Sequence, residues 1–177
     1  MFDPFTIYLT QTNEYKSMSS NAPSIWSVIY VPFAENPVNN VLTIVGIALA
    51  GAFVIMMIIK VYQKSTVSAN QWKDIAYLFV LVIPFLLPRM HERYFYAADI
   101  FSVIYGVTHK KRWFIPVLNI SASCLAYIPF LYNVVCEKNI LVIIAAVLMM
   151  VTVIYTIVMY FKDYYKNSAP EQPLQKA

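Results

Sequence analysis

One stretch of this chain concentrates groups that can do chemistry. "PRMHERYFYAADIFS", Pro88 to Ser102, packs Arg89, His91, Glu92, Arg93, Tyr94, Tyr96 and Asp99 between two short apolar runs. Two arginines and a histidine make a natural anion clamp, because a guanidinium fork meets phosphate through two parallel hydrogen bonds. Glu92 can steady Arg93 or His91, or accept a proton. Tyr94, Tyr96 and Tyr105 offer rings with one apolar face and one polar tip, a surface that sugars favour. Asp99 lies about one and a half turns inside the next apolar run, where ionisation costs a few kcal/mol unless paired. Arg93 or Arg89 is its expected partner. A helix beginning near Met90 would align His91, Phe95, Asp99 and Ser102 on one face. Arg, His and Tyr also anchor helices at membrane interfaces without any ligand. Seven such groups in one short segment favour function over anchoring.

The elements that must position this segment follow from composition. Of 177 residues, 60% are apolar or aromatic and 12% charged, against about 25% charged in soluble domains. Dense apolar content excludes disorder, and so few charges could not cover the surface of a water-soluble globule. The fold class is therefore an all-α integral membrane protein with about five transmembrane helices. The expected spans are 41–62, 75–87, 94–107, 113–132 and 140–161, of which the second and third are short for a hydrocarbon core needing roughly 20 residues. Nine basic residues (Lys60, Lys64, Lys73, Lys110, Lys111, Arg112, Lys162, Lys166 and Lys176) fall on one side of these spans, and four (Lys16, Arg89, Arg93 and Lys138) on the other. The positive-inside rule then puts the N-terminus outside and the C-terminus inside. Residues 1–37 form an extracytoplasmic loop segment, 38–162 the transmembrane helical domain, and 163–177 a polar, disordered cytoplasmic tail. Residues 1–37 carry neither a basic n-region nor a long apolar h-region, so the chain reads as the C-terminal portion of a longer protein.

The rest of the chain carries little chemistry. "SSNAPSIW", Ser19 to Trp26, is turn-forming, with Trp26 expected at the interface as an aromatic anchor. "HKKRW", His109 to Trp113, reads as a positive-inside anchor, with contact to the anionic head groups of membrane lipids as the alternative. Gly46 and Gly51, with neighbouring alanines, offer an ordinary small-residue helix contact. Cys124 and Cys136 lack the paired spacing of a zinc site and read as buried structural thiols. No metal ligand set, cofactor motif or phosphate loop is visible, and nothing asks for nucleic acid.

"LLPRMHERYFYAADIFSVIYG", Leu86 to Gly106, resembles the C-terminal signature of bacterial GT-C-type membrane glycosyltransferases related to the glycosylphosphatidylinositol mannosyltransferases. "QTNEYKSMSSNAPSIWSVI", Gln11 to Ile29, resembles the Asn-Ala-x-x-x-Trp extracytoplasmic loop that precedes their last spans. The resemblance implies transfer of a mannose-like hexose from a polyprenyl-phosphate-sugar donor on the extracytoplasmic side of a bacterial plasma membrane. It assigns donor-phosphate binding to Arg89, His91 and Arg93. Glu92, Tyr94, Tyr96 and Asp99 support and orient that clamp, and Tyr15, Asn21 and Trp26 belong to the acceptor or sugar loop. The family's catalytic acid lies in its first extracytoplasmic loop, upstream of anything here, so a catalytic N-terminal half or partner subunit is implied and no catalytic residue is assigned. The competing readings are a non-catalytic membrane accessory or scaffold subunit, a remnant, and a small transporter. The last is disfavoured on the expectation that interior charges sit at a single membrane depth.

Overall fold

A computed structural model describes residues 18–30, 40–64, 66–132 and 140–166. Of these, 85% are helical. In chain order they form strand β1 (Ser19–Ser20), helices α1 (Ile25–Tyr30) and α2 (Asn40–Tyr62), α3 (Ala69–Leu86), strand β2 (Met90–His91), and α4 (Tyr96–Thr108), α5 (Phe114–Leu131) and α6 (Ile140–Lys166). Single 3-10 turns, Glu92–Phe95 and Lys110–Arg112, lead into α4 and α5. Tyr15, Cys136 and the tail from residue 167 lie outside the described residues.

Two helices, α2 and α6, are long and apolar enough to cross a membrane. By contrast α4, with 13 residues, reaches only about 20 Å at 1.5 Å per residue. The longest apolar faces point outward. Ile44, Ile47, Ile55 and Ile58 of α2, and Ile154 and Val158 of α6, are all more than half exposed, and an apolar surface of this extent marks contact with a membrane or a partner. Cys124 is exposed as well, which corrects the expectation of a buried thiol: α5 is apolar on most sides, so its outer face also accepts a small apolar group.

The interior is built on α3, whose Tyr77, Leu78, Leu81 and Val82 are essentially inaccessible. It starts at Ala69, well before the apolar run at Ile75, because a capping box extends it. Ser68 Oγ accepts from the Gln71 amide and Gln71 Oε1 accepts from the Ser68 amide, satisfying two orphan donors reciprocally. Helix α4 packs between α3 and α5, and α5 packs most intimately on α6.

Gly46 is where α2 meets the loop region. A Cβ there would sit 2.7 Å from Trp26 Cζ2, 2.8 Å from Pro88 Cδ and 3.0 Å from the Leu86 carbonyl. Gly51 has nothing within 4 Å. Of the two glycines expected to make an ordinary helix contact, only Gly46 makes a close one, against Trp26 of α1, the last residue of α3 and Pro88 of the turn that follows. Gly46→Ala is expected to lower stability by about 1–3 kcal/mol through overpacking, read by thermal unfolding in detergent, while Gly51→Ala leaves the midpoint in place or raises it. Equal midpoints for the two variants would show that Trp26 and Pro88 are not fixed against α2.

Candidate functional site

The two stretches singled out in the sequence meet in the fold. β1 pairs in parallel with β2, Ser19 opposite Met90 and Ser20 opposite His91. Asn21 forms a further bridge with His91, and the Arg89 amide donates to the Met18 carbonyl at 2.8 Å. Behind this ladder, Ser27 Oγ donates to the Ala22 carbonyl and Ser19 Oγ, 2.6 Å away, donates to Ser27 Oγ. The local bonds expected from "SSNAPSIW" are thus made by serines. Asn21 serves through its backbone instead, at φ 56°, a left-handed conformation that asparagine tolerates better than most residues.

Arg89 also has a positive φ, 60°. It follows Pro88 at the place where a type II turn asks for glycine, and a bulky side chain held there marks strain of the kind that gathers at functional sites. The turn is clamped by Trp26, whose Nε1 donates to the Leu86 carbonyl at 2.8 Å. Trp26 is 3% exposed, which corrects its reading as an interfacial anchor. Its ring is wedged against Gly46 and supports the arginine turn from behind.

The clamp residues divide by environment. Arg93, Tyr94 and Tyr96 face outward, the tyrosines 50% and 65% exposed, while Arg89 and His91 are half-buried. Burial lowers the pKa of His91 below the ordinary histidine value; Glu92 opposes the shift and Arg93 adds to it. His91 is therefore neutral at pH 7, and the clamp at that pH consists of two cations and one neutral ring. Glu92 is buried, with Oε2 4.0 Å from His91 Nδ1, too long for a hydrogen bond.

Asp99 departs from expectation. Its Oδ1 accepts from Asn119 Nδ2 and from Ser123 Oγ, each at 2.7 Å, in place of an arginine. The reason is geometric. Residues 92–95 form a 3-10 turn and α4 starts only at Tyr96, so His91 and Asp99 do not share a helix face and Asp99 turns toward α5. Tyr77 continues the network by donating to Asn119 Oδ1 at 3.3 Å. Tyr127 of α5, not singled out in the sequence, stands within electrostatic reach of Glu92, Arg93, Tyr96 and Asp99.

A second polar cluster occupies the opposite end of the bundle, and only its basic residues were visible in the sequence, read as an anchor. His109 Nε2 lies 2.9 and 3.1 Å from the two carboxylate oxygens of Asp74. Arg112 donates to the Tyr105 hydroxyl at 2.8 Å and to Asp163 at 2.7 Å, so Tyr105, 2% exposed, belongs to this cluster and not to the sugar-facing surface expected with Tyr94 and Tyr96. Burial works against the Arg112 charge, but the bonds to Asp163 and Tyr105 outweigh it and hold its pKa above the ordinary value. Interior charges thus occur at two levels, which overturns the single-depth expectation. Their acidic partners, Asp74 and Asp163, are isolated in sequence and give no local signal.

Known protein families, curated proteins and solved structures provide no match to this chain. The site must therefore be read from its own geometry. Among the described residues no cluster of His, Cys, Asp and Glu is placed to hold a metal ion.

Proposed function

We propose that this chain is the donor-binding portion of a membrane glycosyltransferase, engaging the phosphate of a polyprenyl-phosphate-sugar on the extracytoplasmic side. The observation that carries this reading is the β1–β2 pairing, which seats the Asn21–Trp26 loop directly on the Arg89–His91 turn. Two separate stretches with a family resemblance thereby become one surface. In this role Arg89 and Arg93 neutralise the phosphate as the glycosidic bond breaks, so they stabilise the transition state more than the ground state. His91, neutral, donates or accepts a hydrogen bond, and Tyr94 and Tyr96 face the sugar. Five spans with the N-terminus outside and the C-terminus inside put this turn on the side poor in positive charge, in a bacterial plasma membrane.

A second reading, a non-catalytic accessory subunit, is favoured by one observation. The carboxylates described near the clamp are Glu92, which is buried, and Asp99, which is hydrogen-bonded to Asn119 and Ser123, so neither faces an acceptor as a general base. The two readings agree on lipid-phosphate binding and differ in whether a catalytic acid joins the chain. A transporter is less well supported. Between the charged ends lie an amide, Asn119, and a Tyr77–Tyr105 ring contact with centroids 5.0 Å apart, and an amide side chain does not relay protons.

The test is binding of a polyprenyl phosphate to the purified chain in detergent. Arg93→Gln, at an exposed position that folding tolerates, is expected to weaken it about tenfold, the loss of one charge-assisted contact. Lys110→Gln leaves it unchanged. Equal affinity for wild type and Arg93→Gln would remove the donor-binding role.

A further inference from the structure

We infer a lipid-binding site at the other end of the bundle, specific for a lipid with an anionic phosphate head group. Two adjoining cavities carry the inference. The first, of about 340 Å³, is polar and receives Lys60, Lys64 and Lys166. The second, of about 310 Å³, is apolar and lies between α2 and α3, lined by Met57, Ile58, Trp72 and Phe79. Val61 and Ile75 line both, so a basic chamber and a hydrocarbon groove lie side by side and share a wall. That combination fits an amphiphile and is not what a free anion needs.

The charge balance of the first chamber calls for an anion. Its two carboxylates are already engaged, Asp74 by His109 and Asp163 by Arg112. The lysines have no such carboxylate partner among the described residues. Lys60 Nζ lies 5.4 Å and Lys64 Nζ 4.7 Å from the centroid of one ring, Tyr164. The Tyr164 hydroxyl donates to the Lys60 carbonyl at 3.3 Å, fixing that ring between α2 and α6. Two ammonium groups over one ring attract it by cation–π contact but repel each other, and a phosphate beside both relieves the repulsion. Trp72, 53% exposed on the apolar groove, is the residue type that sits at head-group depth.

This site is independent of the transferase reading, because it shares no residue with the Arg89–Tyr96 clamp. The experiment is native mass spectrometry of the full chain released from detergent with phosphatidylglycerol or with phosphatidylcholine of the same acyl chains. Phosphatidylglycerol is expected to bind about thirty-fold more tightly, roughly fivefold for each of Lys60 and Lys64. The Lys60→Gln/Lys64→Gln double variant is expected to lose about thirty-fold in phosphatidylglycerol affinity, roughly fivefold per lysine near a lipid surface, with phosphatidylcholine unchanged. Lys111→Gln, an exposed base at the same end but outside the chamber, keeps the preference. Ile58→Trp, which fills the groove from an exposed position, weakens both lipids severalfold. The proposal is overturned if the double variant keeps the preference, if Lys111→Gln removes it equally, or if millimolar glycerol phosphate displaces the lipid, since the last would make this a site for free phosphate.

Discussion

Replacing Arg112 by alanine is expected to destabilise the fold by about 3 kcal/mol, the lower end of the range for breaking a buried ion pair, while Lys110→Ala and Lys111→Ala stay within about 0.5 kcal/mol, as surface changes do. The three bases are neighbours in sequence and carry the same formal charge. They differ in where the 3-10 turn Lys110–Arg112 points them. Lys110 and Lys111 face out, whereas Arg112 is 9% exposed. Its two terminal nitrogens tie α4 to α6 through the Tyr105 hydroxyl and the Asp163 carboxylate. The side chain of Asp163 is 37% exposed, so water can recover part of its solvation, and this places the effect at the lower end of the range. Arg112→Lys keeps the charge that orients a membrane protein but loses the fork that reaches both partners, so it recovers only part of the loss. Thermal unfolding of the four proteins in one detergent gives the comparison. Equal midpoints for Arg112→Ala and Lys110→Ala would return the whole run to the role of a membrane anchor.

This contrast illustrates what the sequence could disclose. Helices α2, α5 and α6 were legible because each rests on a long apolar run, a signal local to the run itself, whereas α3 and α4 rest on shorter runs and the six-residue α1 on none. The dense segment around Arg89 was legible for the same reason: its chemistry is contiguous. What escaped were pairings across the bundle. Asp74 sits among polar residues at a helix start and Asp163 among lysines and tyrosines near a helix end, and nothing local says that one meets His109 and the other Arg112. Asn119 and Ser123 lie, with Ser121 between them, in a mostly apolar helix. Their four-residue spacing puts them on one face, a signal that two small polar groups face something specific, but not that the something is Asp99. Trp26 was misread because an interfacial and a buried tryptophan look alike in sequence. The clue was Gly46, whose missing side chain leaves the space the ring occupies.

The second large effect is expected at Asn119, which is fully buried and joins Asp99 to Tyr77. Asn119→Leu removes two interhelical hydrogen bonds, but such bonds in membrane bundles average only about 0.6 kcal/mol each, so their loss accounts for about 1 kcal/mol. The larger part is the Asp99 carboxylate, half-buried and left with Ser123 as its remaining partner, since an under-solvated charge within a membrane bundle costs a few kcal/mol. Together these predict a loss of about 3 kcal/mol. The same reasoning predicts a rescue. In Asp99→Leu/Asn119→Leu the charge is gone. The Ser123 hydroxyl can turn back to the carbonyl of residue 119 on its own helix, and the Tyr77 hydroxyl, released from Asn119, can turn to the Thr156 oxygen, whose own proton goes to the Thr152 carbonyl. Replacing both partners by apolar groups is nearly neutral where removing one is not, so the double variant should be about 2 kcal/mol more stable than Asn119→Leu. A double variant no more stable than the single would show that the carboxylate is not the source of the loss. Because the rescued protein is folded, it also separates the two roles open to Asp99: polyprenyl-phosphate binding equal to wild type makes Asp99 a brace between α4 and α5, and loss of binding in a stable double variant makes it a positioning residue for the arginine clamp.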